Sequence, residues 1–188
     1  MTTKKTNPRI RALTLNLALS AIMLLVYCYK LHGSLFKNSR LNFWGGMVLI
    51  TSFYIVFSAR NGQWDIFTHA FMAGAIYYIH RLFIADSKQL LYGLLTGLFL
   101  AASWMSKGPV SLYALLLPFL IAYGFTYRFK WSKRLILPFL VLLIVAVIGS
   151  GWWFWYTYTN DGEALKAITE REAANWTSYN VRPFYYYW

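Results

Sequence analysis

At 188 residues, 59% hydrophobic and 20% aromatic, the chain is too apolar for a soluble domain of its size. Charged residues make up only 13% of it, about half of the ~25% usual in globular domains. The net charge of +12 does not point to nucleic acid, because the Lys and Arg residues sit in short connectors between apolar runs, where anionic lipid headgroups are the natural counter-charge. The single Cys28 lies inside such a run, which excludes a disulfide framework and a cysteine-based metal site.

A transmembrane helix takes roughly 20 predominantly apolar residues to cross the ~30 Å hydrocarbon layer. After a basic tail over 1–11, runs of about that length predict spans at 12–30, 41–59, 64–84, 89–106, 109–127 and 134–159. The first has no small-residue cleavage site before it or at its end and reads as a retained span, not a removed signal peptide. The third has the shortest apolar centre, 66–79, and contains His69; Trp64, Tyr77, Tyr78 and Arg81 can sit in the headgroup zones and extend it to a full crossing. Short connectors favour antiparallel sequential neighbours. Gly45, Gly46, Gly74, Gly93 and Gly97 offer small faces for close helix approach, with Gly93 and Gly97 in small-xxx-small spacing. Pro118 and Pro138 fall inside apolar runs and are expected to kink them. The fold class is therefore all-α: one multi-pass transmembrane bundle of about six spans, followed over 160–188 by an outer-face loop with a short helix.

Charge alone does not orient this bundle. With six alternating spans, nine Lys and Arg residues fall on each side, so the positive-inside rule returns a tie. The densest link, Arg128-Phe-Lys-Trp-Ser-Lys-Arg134, is assigned to the cytoplasm, which places the segment after Asn160 outside.

Asp65 opens the third run, and a carboxylate at the edge of a bilayer is a default functional candidate; complementing the dipole of its helix explains it equally well. Lys107 precedes Gly108-Pro109, a pair that stops one helix and starts the next. It can hold a phosphate or serve as a snorkelling turn residue. Four of the six carboxylates, Asp161, Glu163, Glu170 and Glu172, lie in the last 29 residues. Glu163, Lys166, Glu170 and Arg171 are spaced as ion pairs on a surface helix. Arg182 presents a fork that suits phosphate, and Tyr185 and Tyr186 offer stacking faces for a sugar; an interfacial aromatic belt is the plainer role for the tyrosines. His69 and His80 lie at opposite ends of one run, and structural roles fit them better than a metal pair. Asn175-Trp-Thr177 matches the glycosylation sequon, a pattern of low specificity.

The order of these features is more specific than any one of them. Ser58-Ala-Arg-Asn-Gly-Gln-Trp-Asp65, then Ser103-Trp-Met-Ser-Lys-Gly-Pro-Val110, then a basic link, a long span and a Glu…Arg-Pro-Phe-Tyr-Tyr-Tyr element resembles the bacterial branch of glycosyltransferase family 39. Those C-type membrane glycosyltransferases are similar to the aminoarabinose transferases of lipid A and to protein O-mannosyltransferases. Asp65, Lys107-Gly-Pro109 and Asn180-Val-Arg-Pro183 stand at the family's corresponding elements. The family's loop histidine corresponds to Asn180 here, which puts any metal role at that position in doubt.

The resemblance implies an enzyme of the bacterial inner membrane that moves a sugar from a polyprenyl-phosphate donor to a lipid, glycan or protein acceptor on the outer face. It implies substrate-binding roles for Asp65, Lys107, Arg182, Tyr185 and Tyr186, and it leaves a divalent metal open as a cofactor of the intact enzyme. The family's catalytic base lies in an Asp-Glu loop that nothing before Asn7-Pro-Arg-Ile-Arg11 matches. The expectation is therefore an internal fragment, or one part of a split protein whose remaining parts are partners, inactive alone. The alternatives are a non-enzymatic transporter or channel subunit, a helper subunit, or a degenerate gene product. Uncharged span centres speak against the transporter.

Overall fold

The computed structural model describes residues 8–36, 38–52, 65–127 and 132–177. All regular structure among them is helical: α1 (Pro8–Leu35), α2 (Ser39–Thr51), α3 (Asp65–Ile84), α4 (Gln89–Lys107), α5 (Leu117–Tyr127) and α6 (Ile136–Thr177). A π-helical stretch, Leu112–Leu116, leads into α5, and one 3₁₀ turn, Lys133–Leu135, leads into α6. Three segments are long and apolar enough to cross a membrane, Leu15–Leu35, Gln89–Lys107 and Lys133–Arg171; Leu112–Tyr127 is apolar but shorter. The chain forms two compact units, Met1–Ser150 and Gly151–Trp188.

Local chemistry sets the ends of these helices. Pro8 opens α1, where its missing N–H costs nothing and its fixed φ is already helical. Asn38 caps α2, its side-chain oxygen accepting from the N–H groups of Arg40 (3.0 Å) and Leu41 (3.5 Å). Lys107 ends α4, and Gly108 turns the chain at φ 67°, a conformation that an L side chain resists. Pro109 follows, and its carbonyl accepts from Leu112 N–H at 3.0 Å.

The two prolines expected to kink their helices behave differently. Ahead of Pro118 the ladder widens, with Leu117 N–H bonded to Leu112 O, five residues back. That π turn accommodates a ring that clashes with the carbonyl four residues earlier. Pro138 instead falls in the first turn of α6, directly after the 3₁₀ turn. There no intrahelical donor is missed, so the expected kink is absent.

In the first unit, α3 lies between α1 and α4. Leu17 and Leu24 of α1 pack with Ile66, Ala70 and Ala73 of α3. Further along, Tyr27 OH meets Tyr78 OH at 3.5 Å and Ser34 Oγ meets His80 Nε2 at 2.9 Å, so the two helices run parallel. α4 runs antiparallel to α3: Lys107 pairs with Asp65, Ser103 Oγ donates to Thr68 O at 3.2 Å, and Arg81 Nη2 donates to Tyr92 OH at 3.2 Å. A Cβ on Gly74 would lie 2.7 Å from the Phe99 ring, and one on Gly97 would lie 2.8 Å from Leu142 O. The glycines thus admit α4 between α3 and the start of α6, the close approach that small residues allow in membranes. A second core joins Met72, Ala75, Ile79, Leu82, Leu100, Leu135 and Leu142.

Large side chains such as Leu15, Val48, Leu98, Phe125 and Val147 are exposed on the outside of the bundle, an arrangement that water would not tolerate on this scale and lipid would. Twenty residues of α3 span roughly 30 Å at 1.5 Å per residue, the thickness of the hydrocarbon layer. The unit therefore has two polar rims, one holding Asp65 and Lys107, the other holding His80, Asp86 and Arg134.

In the second unit the helix continues past Asn160, where the sequence predicted a loop with a short helix, and ends at Thr177. It is broken once, at Asp161 (φ −151°, ψ 62°).

Candidate functional site: the Asp65–Lys107 rim

Two of the residues singled out from sequence meet here. Asp65 is the first residue of α3 and Lys107 the last of α4, and their side chains form a direct ion pair. Each charge also suits its own helix end, the carboxylate at an N-terminus and the ammonium at a C-terminus. The register that brings them together is set one turn deeper. Ser103, fully buried, donates to the carbonyl of Thr68, itself 2% exposed, so the last turn of α4 lies against the first turn of α3.

The two partners differ in exposure. The Asp65 side chain is 16% exposed and that of Lys107 46%. The carboxylate is therefore held inside the rim, and the ammonium reaches toward water. An ammonium carries three donors, and Asp65 takes one of them. The other two are directed by a side chain whose position the carboxylate fixes, which is the requirement for receiving an anionic oxygen at the membrane edge.

His69 stands one turn along α3, its Nδ1 2.5 Å from the Asp65 carbonyl. A structural role was expected for it; the i, i+4 spacing from Asp65 is the signal that it belongs to the same rim. His80, by contrast, is 2% exposed at the far rim, between Ser34 Oγ (2.9 Å) and Tyr123 OH (3.2 Å), as a structural residue should be.

Beneath the ion pair an open groove of about 570 Å³ runs between α3 and α4, lined by Phe67, Phe71, Ala102, Met105 and Ser106. Among the described lining residues only Ser106 contributes a polar side chain, and its hydroxyl is turned to Ala102 O at 2.8 Å. Its described lining is therefore apolar; Phe67 and Ser106 stand within two residues of Asp65 and Lys107, and neither member of the ion pair lines the groove. Sequence reasoning did not find it, although the i, i+4 aromatic pair Phe67 and Phe71 on the helix of Asp65 marks one wall.

Arg182, Tyr185 and Tyr186 lie outside the described residues. A divalent metal does not fit the donors that are described: no three His, Cys, Asp or Glu side chains among them come together, and Lys107 already engages the Asp65 carboxylate.

The long apolar helices and the polar rims define a membrane protein. Residues 3–155 match the family model for dolichyl-phosphate-mannose-protein mannosyltransferases; the chain belongs to this family of membrane glycosyltransferases, which draw on a lipid-linked sugar donor. No curated protein and no solved structure matches the chain.

Proposed function

We propose that the Asp65–Lys107 rim receives the phosphate of a polyprenyl-phosphate-linked sugar on the outer face of a bacterial inner membrane. The observation that carries this reading is the ion pair between the ends of α3 and α4, with an apolar groove on the same two helices whose lining begins within two residues of it, at Phe67 and Ser106. A lipid phosphate has the same two parts, an anionic head and a hydrocarbon tail. Lys107, joined by Arg182, neutralises the charge that grows on the departing phosphate. Asp65 positions Lys107 and orients the acceptor or the sugar, and Tyr185 and Tyr186 line the sugar site.

The chain crosses the membrane six times in this reading. Support comes from helix directions: α1 and α3 run parallel, α4 opposes them, and α6 starts beside the start of α4, with Gly93 against the Pro138 backbone. The opposite rim, with Lys88, Lys133 and Arg134, is assigned to the cytoplasm because it carries the densest basic link, 128–134. Sugar transfer needs a base on the acceptor hydroxyl. In this reading Asp65 and Lys107 bind and position the donor, and neither is assigned as that base.

Binding of polyprenyl phosphate to the chain in nanodiscs tests the site. One charge-assisted hydrogen bond contributes about 1.5–3 kcal/mol, so Lys107→Ala should weaken binding by roughly tenfold or more, and Lys107→Arg should retain most of it. Equal affinity in Lys107→Ala and wild type would remove the phosphate role.

A further inference from the structure

A second cavity, about 310 Å³, opens at the opposite rim where α4 and α6 begin. Its upper wall carries Asp86, Lys88, Gln89 and Arg134, and its lower wall Leu90 and Leu137. The two leucines are 51% and 55% exposed, on the lipid-facing side of the bundle. Below the cavity the helices touch: a Cβ on Gly93 would overlap the backbone of Pro138, so helix packing fixes the floor.

The charges in this cavity do not cancel. Arg134 Nη2 bonds Asp86 Oδ1 at 3.1 Å, but a guanidinium has five donors in a rigid fork, and one carboxylate contact leaves others to share. Asp86 is 89% exposed, so water screens its charge. The Lys88 ammonium makes no hydrogen bond or ion pair among the described residues. Gln89 is turned away, its Nε2 donating to Ala85 O at 3.1 Å. Among the described lining residues the balance is one net positive charge, two cations converging on one space, with hydrocarbon directly beneath.

We infer that this cavity binds the headgroup of an anionic phospholipid of the inner leaflet. The lipid phosphate sits between Lys88 and Arg134, and the acyl chains descend over Leu90 and Leu137. The two-part wall, cationic above and apolar below, is what distinguishes such a lipid from a free anion, which has no use for the leucines. The surrounding rim is basic, with Lys133 beside the cavity and Asp86 as its one carboxylate between residues 66 and 150, so it lies in the headgroup layer where anionic lipids concentrate. This inference rests on the chain spanning a membrane with this rim toward the cytoplasm, and is independent of the donor site at the other rim.

The test is native mass spectrometry of the chain released from nanodiscs of phosphatidylcholine and phosphatidylglycerol in equal parts. Wild type should keep one phosphatidylglycerol in preference to phosphatidylcholine. Lys88→Gln with Arg134→Gln should lower that retention by roughly tenfold or more, at about 1 kcal/mol per cation near the surface. Asp86→Asn, which removes the competing carboxylate, should raise retention, and Lys30→Gln, on the same rim but away from the cavity, should leave it unchanged. Unchanged retention in the double variant, a fall in Asp86→Asn, or no preference for phosphatidylglycerol would each overturn the inference. Release of the lipid by millimolar inorganic phosphate would do so too, by making the cavity a site for free anions.

Discussion

Lys107 closes on Asp65 across 42 positions of chain, joining the last residue of one helix to the first residue of its antiparallel neighbour. With Lys107 46% exposed, such a pair contributes about 0–1 kcal/mol to stability. In the proposed function its role is to hold the ammonium in place. Lys107→Ala and Asp65→Asn should therefore each change the unfolding free energy in detergent by less than about 1 kcal/mol, while donor-phosphate affinity falls much further in the lysine variant. Calorimetry beside a binding isotherm separates the two effects. A large stability loss with unchanged binding would make the pair a structural clamp.

Gly93 and Gly97 should be the least replaceable small residues in the first unit. An added Cβ at Gly93 would overlap the Pro138 carbonyl, and at Gly97 it would lie 2.8 Å from both Leu142 O and Val145 Cβ. These are backbone or stiff β-branched neighbours, so α4 and α6 would have to separate, at a cost of about 1–3 kcal/mol per site. Gly46 has nothing within 4 Å, and Gly46→Ala should be neutral or slightly stabilising through helix propensity. Unfolding midpoints of the three alanine variants check the order; equal midpoints would mean that the α4–α6 contact does not hold the unit together.

The features legible in the sequence are those written into one short stretch. The end of α4 could be read from Lys107-Gly108-Pro109, because glycine and proline dictate backbone geometry locally. The start of α3 at Asp65 could be read from a carboxylate opening an apolar run. The meeting of these two residues could not, because it depends on register between helices. In lipid both the packed and the exposed faces are apolar, so Leu100 in the core and Leu98 on the outside look alike, and no stripe marks the side that packs. Gly93 and Gly97 were visible as a small face, but their partner, the start of α6, was not. The continuation of α6 past Asn160 was missed for another reason. Asn160, Asp161 and Gly162 together signal a turn, and the break they cause is only one residue long.

His80 should be the costliest polar side chain to remove from the first unit. It is 2% exposed and joins three helices' worth of chain, with Ser34 Oγ on one ring nitrogen and Tyr123 OH on the other. A neutral ring has one donor and one acceptor nitrogen, so it satisfies both hydroxyls at once, and replacing it leaves both without this partner. His80→Phe should cost about 2–4 kcal/mol, from one buried unsatisfied group at about 1–3 kcal/mol and a second partly rescued. Tyr123→Phe, which removes one bond together with its hydroxyl, should cost about 1 kcal/mol. Denaturant unfolding of both variants measures the difference. Similar values would mean that the Ser34 side of the bridge contributes nothing.

Asp161 restarts the helix that it interrupts. Its own backbone leaves the helical region, and its Oδ1 then accepts the N–H of Ala164, three residues on, at 3.2 Å, which is the geometry of an N-cap. The carboxylates of Asp161 and Glu163 suit the positive end of the segment that follows, and Lys166 with Glu170 at 3.9 Å adds an exposed i, i+4 pair of small effect. If the cap sets where the segment begins, Asp161→Ala should destabilise it by about 1 kcal/mol, while Asp161→Asn, which keeps the acceptor oxygen, should change it by a few tenths at most. Amide hydrogen exchange over residues 162–166 reads this directly: protection there should fall about fivefold in the alanine variant, as ~1 kcal/mol requires, and stay near wild type in the asparagine variant. Matching loss in both variants would assign the effect to charge, and the helix dipole, not the capping bond, would then be what stabilises the restart.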